Sequence, residues 1–378
     1  MKTLSQRFLS LDVFRGMTIC FMIIVNTPGG GAEPFSPLEH AGWHGFTPTD
    51  LVFPSFLFAV GNAMSFSLDK YRQISNASFL KKILKRTVLI FLIGYLMYWF
   101  PFFRLNDAGE IISAPISNTR IMGVLQRIAL CYFFGSLITH YFNTRKVIVI
   151  SILLLVGYWV LLLVFGDRQQ PFSLLGNASL YLDKFLMSDG HLYHGEGIPF
   201  DPEGVLSTLP AIVNVVIGFF AGKFIQLKGK NYETISKLLL AGVALIFIAL
   251  WWNMVFPINK KLWTSPFVLL TTGIDLVLIS ALIYILEIKD WNKRNWTSFF
   301  IVFGKNPLFI YILSEILITV IYMINVSPGE GLFDWINRTI FQAIAPGSLG
   351  SFLFAISYML LCWLVGWWLN KRRIYIKV

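Results

Sequence analysis

Charge is scarce in this chain. Asp, Glu, Lys and Arg make up 13% of its 378 residues, against about a quarter in soluble globular proteins. With 56% of the residues hydrophobic, that shortage excludes a soluble globule. Cysteine is scarce as well: Cys20, Cys131 and Cys362 are the only three, and all lie within apolar runs. They exclude a disulfide framework and a zinc pattern, and read as small buried hydrophobes. Internal repeats and low-complexity tracts are lacking, and nothing marks off a separate soluble domain. No cleavable signal peptide is evident, because a short polar arm leads into a full-length apolar run carrying Asp12 and Arg15.

What the chain does have is apolar length. Ten runs approach or reach the roughly 20 residues that cross a bilayer as helix. They fall near 11–28, 50–68, 87–103, 121–141, 147–165, 204–222, 238–256, 265–286, 299–324 and 349–370. The fold class is therefore an all-α polytopic membrane protein of about ten transmembrane helices, with residues 1–378 as one transmembrane domain. Long continuous runs exclude a β-barrel. The piece at 333–345 is too short and polar to span, and reads as an interfacial helix.

The net charge of +11 invites a nucleic-acid partner, but its distribution argues for a lipid bilayer instead. Of the 31 Lys and Arg residues, 21 fall on the side of the N-terminus, 7 on the opposite side and 3 inside spans. The positive-inside rule then places both termini in the cytoplasm. The 69–86 connection is basic and reads as a solvated or headgroup-facing cytoplasmic turn. The long 166–203 connection faces outward and carries His191, His194, Glu196, Asp201 and Glu203. Connections of that length are often functional.

Also outward is Asn26–Asp50, which holds Gly, Pro, acids, two histidines and a Trp between two apolar spans. Asn26 can cap or break the first helix, or aim an amide at a ligand. His40 and His44 are four apart, but Gly42, Gly45 and Pro48 argue against a helix that would present both to a metal. No metal is expected. A histidine beside Glu39 suits a general base, since the ordinary pKa of histidine lies near neutrality, and equally suits a plain loop. Thr47-Pro48-Thr49-Asp50 reads as a helix start with Asp50 at its third position.

Inside the spans, Arg15, Arg127, Asp275, Lys305 and Glu315 are costly in lipid and should face the bundle interior. Arg15, Lys305 and Asn306 share a depth near the cytoplasm. Either they form a cationic pole for a phosphorylated ligand, or the charges pair with Asp12, Asp275 or Glu315.

Several segments together resemble the heparan-α-glucosaminide N-acetyltransferase family of transmembrane acyltransferases. They are SLDVFRGMTI (10–19), VNTPGGG (25–31), HAGWHGFTPTDLVFPSFLFAVG (40–61), RIMGVLQRIALCYF (120–133), FDPEGVLSTLPAIVNVVIGFFAGK (200–223), NKKLWTSP (259–266) and GKNPLFIYILSEI (304–316). The resemblance runs through nearly the whole chain in order. It implies an enzyme that passes an acetyl group from cytosolic acetyl-CoA to an amino sugar or glycan on the far side. It puts the functional histidine at His40 and a partner asparagine at Asn26. Acetyl-CoA would approach Arg15, Lys305, Asn306 and Arg127, and Glu39, Trp43, His44, Asp50, Asp201 and Glu203 would line the acceptor. Lysosomal members carry a further N-terminal lumenal portion and span, so the resemblance points to a bacterial inner-membrane relative. Association of copies of the chain stays open. The competing expectation is a transporter for a small sugar or amino sugar, which would share intramembrane charges and broken helices.

Overall fold

A computed structural model describes residues 8–71, 74–105, 110–291, 295–327 and 329–376. Of the cations counted above, Lys2, Arg7, Arg72, Lys293, Arg294 and Lys377 lie outside the described residues. The described part of the chain is mostly helical. Its helices are α1 (Leu9–Asn26), α2 (Val52–Tyr71), α3 (Asn76–Trp99), α4 (Val124–Tyr141), α5 (Thr144–Phe165), the short α6 (Ala178–Met187), α7 (Thr208–Lys228), α8 (Tyr232–Trp252) and α9 (Ser265–Leu282). They continue with α10 (Thr297–Lys305), α11 (Pro307–Met323), the short α12 (Leu332–Ile336) and α13 (Gln342–Ile344), and α14 (Ser348–Lys371). Two small antiparallel hairpins complete it: β1 (Phe103–Leu105) with β2 (Ile111–Ser113), and β3 (Asn325–Ser327) with β4 (Glu330–Gly331).

Among the described residues seven helices are long and apolar enough to cross a membrane: α1, α2, α5, α7, α8, α9 and α14. They become eight if α10 and α11, which meet at 84°, count as one broken span. The difference from ten lies in α3 and α4, which are long but more polar. α3 starts at Asn76 and so takes Lys81, Lys82, Lys85 and Arg86 into its first turns. The basic connection expected at 69–86 is therefore mostly helix, and only the residues between Tyr71 and Asn76 connect. α4 carries buried Gln126, Arg127 and Ser136.

α1, α2, α7 and α9 form the interior, and α5 and α8 are largely exposed at the periphery, as expected for helices that face lipid. The interior is close-packed at small residues. A Cβ on Gly61 of α2 would lie 1.9 Å from the Val215 carbonyl oxygen of α7, and one on Gly218 would lie 2.1 Å from that of Phe58. The two backbones touch, as small residues permit in membrane helix pairs. Side-chain bonds then sort the helix ends. One end joins Ser10 and Lys230 to Glu287, and Lys305 to Asn370. The other joins Gly29 to Ser351 and Arg120 to Asp201. The Asn26–Asp50 stretch lies at this second end.

Candidate active site

α1 stops at Asn26, where Thr27-Pro28-Gly29 turns the chain away. Gly29 donates to the Ser351 carbonyl at 3.1 Å, and Ser351 Oγ donates back to the Gly29 carbonyl at 2.8 Å. No side chain fits at Gly29, since its Cβ would lie 2.9 Å from Ser351 Cα. The loop then returns to α2 through a helical turn at Pro48–Leu51, and Thr47 and Asp50 form the capping box its sequence announced.

Asp50 does more than cap. Fully buried, it takes the Thr47 N–H (2.9 Å) and the Ala41 N–H (3.2 Å) on Oδ2, while Oδ1 lies 2.7 Å from His40 Nδ1. An Nδ1–H donated to that carboxylate fixes the ring and its tautomer and leaves Nε2 as the basic nitrogen. The backbone donors that cap the turn also neutralise the burial cost of the carboxylate. Helix start and catalytic-type dyad are one construction.

His40 and Asn26 line a common cavity of about 150 Å³, together with Thr49, Glu203, Lys260 and the apolar Met22, Val25, Val52, Phe53 and Val124. Lys260 comes from the 253–264 connection, more than two hundred residues away. Its Nζ lies 3.0 Å from both His40 ring nitrogens and 3.8 Å from Asp50. Burial draws the Lys260 ammonium below the ordinary lysine value, against the pull of Asp50 and Glu203. The connection is braced around it: Gly45 donates to the Ile258 carbonyl, Asn259 meets His44 at 3.3 Å, and Lys261 bonds the Gly42 carbonyl and Glu196. On the first helix, Asn26 lies beside Glu315 of α11, as does Tyr311.

The far wall is an ion cluster. Arg120 grips Asp201 with two parallel bonds (2.9 and 2.7 Å), reaches Glu203, and lies over the rings of Tyr98 and Tyr193. Burial works against its charge, but Tyr98, Asp201 and Glu203 hold it well above the ordinary value. Burial also opposes ionisation of Glu203, yet Arg120, Arg127 and Lys260 keep its carboxyl below the usual range. Asp201 shifts upward because burial outweighs Arg120.

The expected site residues divide accordingly. Asn26, His40, Asp50 and Glu203 meet at the cavity or its dyad. Asp201 braces the wall through Arg120. Trp43 packs on Phe200 and donates its ring N–H to the Phe172 carbonyl, so it ties the loop down outside the cavity. His44 faces Asn259, and Glu39 uses its carbonyl to receive the Thr47 hydroxyl. His191 is held by the Thr119 carbonyl at 2.7 Å. Among the described residues no three His, Cys, Asp or Glu side chains are grouped to hold a metal.

At the opposite end Lys305 and Asn306, expected to form a cationic pole with Arg15, turn to other partners, and Arg127, also expected at the donor, lies elsewhere. Lys305 Nζ bonds Asn370 at 2.8 Å, in a groove of about 370 Å³ beside Ser298 and Leu9. Asn306 is buried and spends its amide on the backbone of Ile374 and Ile376. Arg127 belongs to the other end: buried, it bonds Ser207 and the Gly204 carbonyl and lies over Trp263. Arg15 contacts Asp12 at 3.1 Å. It lines two cavities of about 510 and 200 Å³ that also share Ala59 and Ala63. The cation that joins Arg15 in the smaller one is Arg86, over Tyr132, beside Ser67 and the start of α11 at Pro307. Of the pairings expected for the intramembrane charges, Arg15 with Asp12 forms, whereas Asp275 bonds Ser55.

Sequence reasoning missed Lys260 and Arg86. The signal for the first was two adjacent lysines on the cation-poor side. For the second it was a helix that begins about three turns before its apolar run.

Comparison with known proteins bears on this arrangement. The family described as "Heparan-alpha-glucosaminide N-acetyltransferase, catalytic" matches residues 7–248. Relatives named heparan-alpha-glucosaminide N-acetyltransferase include one from Mus musculus, 27% identical over 83% of this chain, and one from Homo sapiens, 28% identical over 84%. The chain spans about half the length of these curated relatives, 54% of each. The family match contains α1, the whole Asn26–Asp50 loop, Arg120 and Glu203, and it extends over well over half of the sequence. This protein is a member of the heparan-alpha-glucosaminide N-acetyltransferase catalytic family.

Proposed function

We propose that this chain is an acetyl-CoA-dependent N-acetyltransferase that moves an acetyl group through the membrane onto the amine of a sugar or glycan. The observation that carries the reading is the His40–Asp50 dyad sharing one cavity with Asn26 and Glu203. His40 Nε2 deprotonates the acceptor amine, which attacks the thioester carbonyl. Asn26 donates one amide N–H to the developing oxyanion, with Glu315 beside it. The anionic Glu203 suits the ammonium form of an amino sugar. Arg15 and Arg86, at the other end, suit the phosphates of the donor. The termini are cytoplasmic in this reading and the host membrane is a bacterial inner membrane.

The test is CoA release by purified protein given acetyl-CoA with glucosamine. Wild type releases CoA only with acceptor present, and His40→Ala lowers the rate by about 10²–10⁴-fold. Equal release from both removes His40 from the mechanism. A stoichiometric burst of CoA without acceptor replaces direct transfer by an acetyl-His40 intermediate. Sugar accumulation in proteoliposomes without acetyl-CoA, unaffected by His40→Ala, replaces the enzyme by a transporter. Arg86→Ala and Arg15→Ala raise the KM for acetyl-CoA and leave that for the sugar unchanged.

A further inference from the structure

The chemistry proposed above has a proton problem that one imidazole does not solve. An amino sugar enters as R–NH₃⁺. As its nitrogen bonds the acetyl carbon and the carbon–sulfur bond breaks, that nitrogen gives up two protons. One ends on the CoA sulfur and one leaves the site. His40 holds one exchangeable proton at Nε2, since Nδ1 is engaged by Asp50 at 2.7 Å.

A second base stands in contact. Lys260 Nζ is 3.0 Å from Nε2, lines the cavity that holds Asn26, and has a side chain only 18% exposed. The charged and titratable groups facing it are His40, Asp50, Glu203 and Lys261. Of these Lys261 is turned to Glu196 and the Gly42 carbonyl, and Asp50 at 3.8 Å is shared with His40. We propose that Lys260 exchanges protons with His40 Nε2, so that the pair removes both protons of the acceptor, one bound for the CoA thiol and one for solvent. This rests on the acetyl-transfer reading. The depressed basicity that burial imposes on Lys260 brings its amine closer to working pH, where a proton acceptor is most effective.

Lys260→Arg tests it directly, because a guanidinium keeps the charge but does not release its proton. CoA release by Lys260→Arg and Lys260→Met should both fall about 10²-fold, and both should lose a limb of the pH dependence of kcat/KM shown by wild type. Small alkylamines should restore release to Lys260→Met. A Lys260→Arg enzyme with the wild-type rate and profile overturns the proposal while leaving the transferase reading intact; loss of the His40 dependence overturns the reading instead. A measurement on the wild type covers the case in which both variants misfold. In competitive labelling with acetic anhydride, read by mass spectrometry, Lys260 should become reactive at lower pH than exposed Lys184 and Lys237. Labelling in step with those lysines overturns the proposal.

Discussion

Asp50 performs two tasks with two oxygens, and the tasks separate by substitution. Asn keeps an acceptor for the Thr47 and Ala41 N–H groups but presents an amide where His40 Nδ1 needs a carboxylate. Asp50→Asn should therefore fold normally and lose about 10²–10⁴-fold in kcat, the size of effect seen when a histidine's orienting carboxylate is removed. A near-wild-type rate in a folded variant removes the dyad from the mechanism. Asp183 of α6 is a different kind of carboxyl. Burial pushes it up to about 7, with the Val205 N–H its one described donor. A carboxyl raised in the folded state stabilises most below its unfolded value near 3.8, and that contribution is lost as pH rises towards 7. Melting temperature in detergent should be higher at pH 5 than at pH 8, and Asp183→Asn should flatten the dependence. An unchanged slope in the variant would assign it to other groups. The sequence disclosed the polarity of these residues but not their partners. Thr47-Pro48-Thr49-Asp50 announced a helix cap, whereas the approach of Asp50 to His40 depends on a loop whose path is fixed by Ser351 and Ile258, far along the chain.

Among the helices, the α2–α7 pair is the tightest constraint. Gly61 and Gly218 let the two backbones meet, so a branched side chain at either must force the helices apart. Gly61→Val should cost at least the ~1–3 kcal/mol of ordinary overpacking, read as a lower melting temperature with reduced CoA release. Retained stability would mean that the helices separate without penalty. Element positions were legible because apolar runs of membrane length are long and periodic. The start of α3 was not, because its first turns carry Lys81, Lys82, Lys85 and Arg86, which break the hydropathy pattern while keeping the hydrogen-bond ladder of a helix. The 84° corner between α10 and α11 was hidden as well: Gly304-Lys305-Asn306-Pro307 interrupts the run, but the apolar residues on either side add up to a single membrane length.

For the whole molecule, the proposed orientation, with the termini cytoplasmic, is one that a surface reagent can read. Cys20, Cys131 and Cys362 are all buried, so the background of thiol labelling is low. A membrane-impermeant maleimide applied to intact cells should label Ser117→Cys, at the His40 end, and spare Lys228→Cys at the other. The reverse pattern would invert the topology and put His40 on the cytoplasmic side. The family could be recognised from motifs along the chain, but not which cations gather with which acids, since Lys260, Arg86 and Arg120 find their partners only when distant helices close.

The two hydrogen bonds between Gly29 and Ser351 also govern timing. During synthesis the loop that carries His40 leaves the ribosome well before its anchor, which is made more than three hundred residues later. Until α14 inserts, the Gly29 N–H lacks this acceptor and the loop has no fixed path back from Asn26. A chain ended before Ser348 should show fast amide exchange across residues 27–47, and full-length protein slow exchange. Equal protection in both would mean that the neighbouring contacts to Phe172 and Ile258 suffice. The site thus waits for α14, so a half-inserted chain lacks a fixed His40 loop.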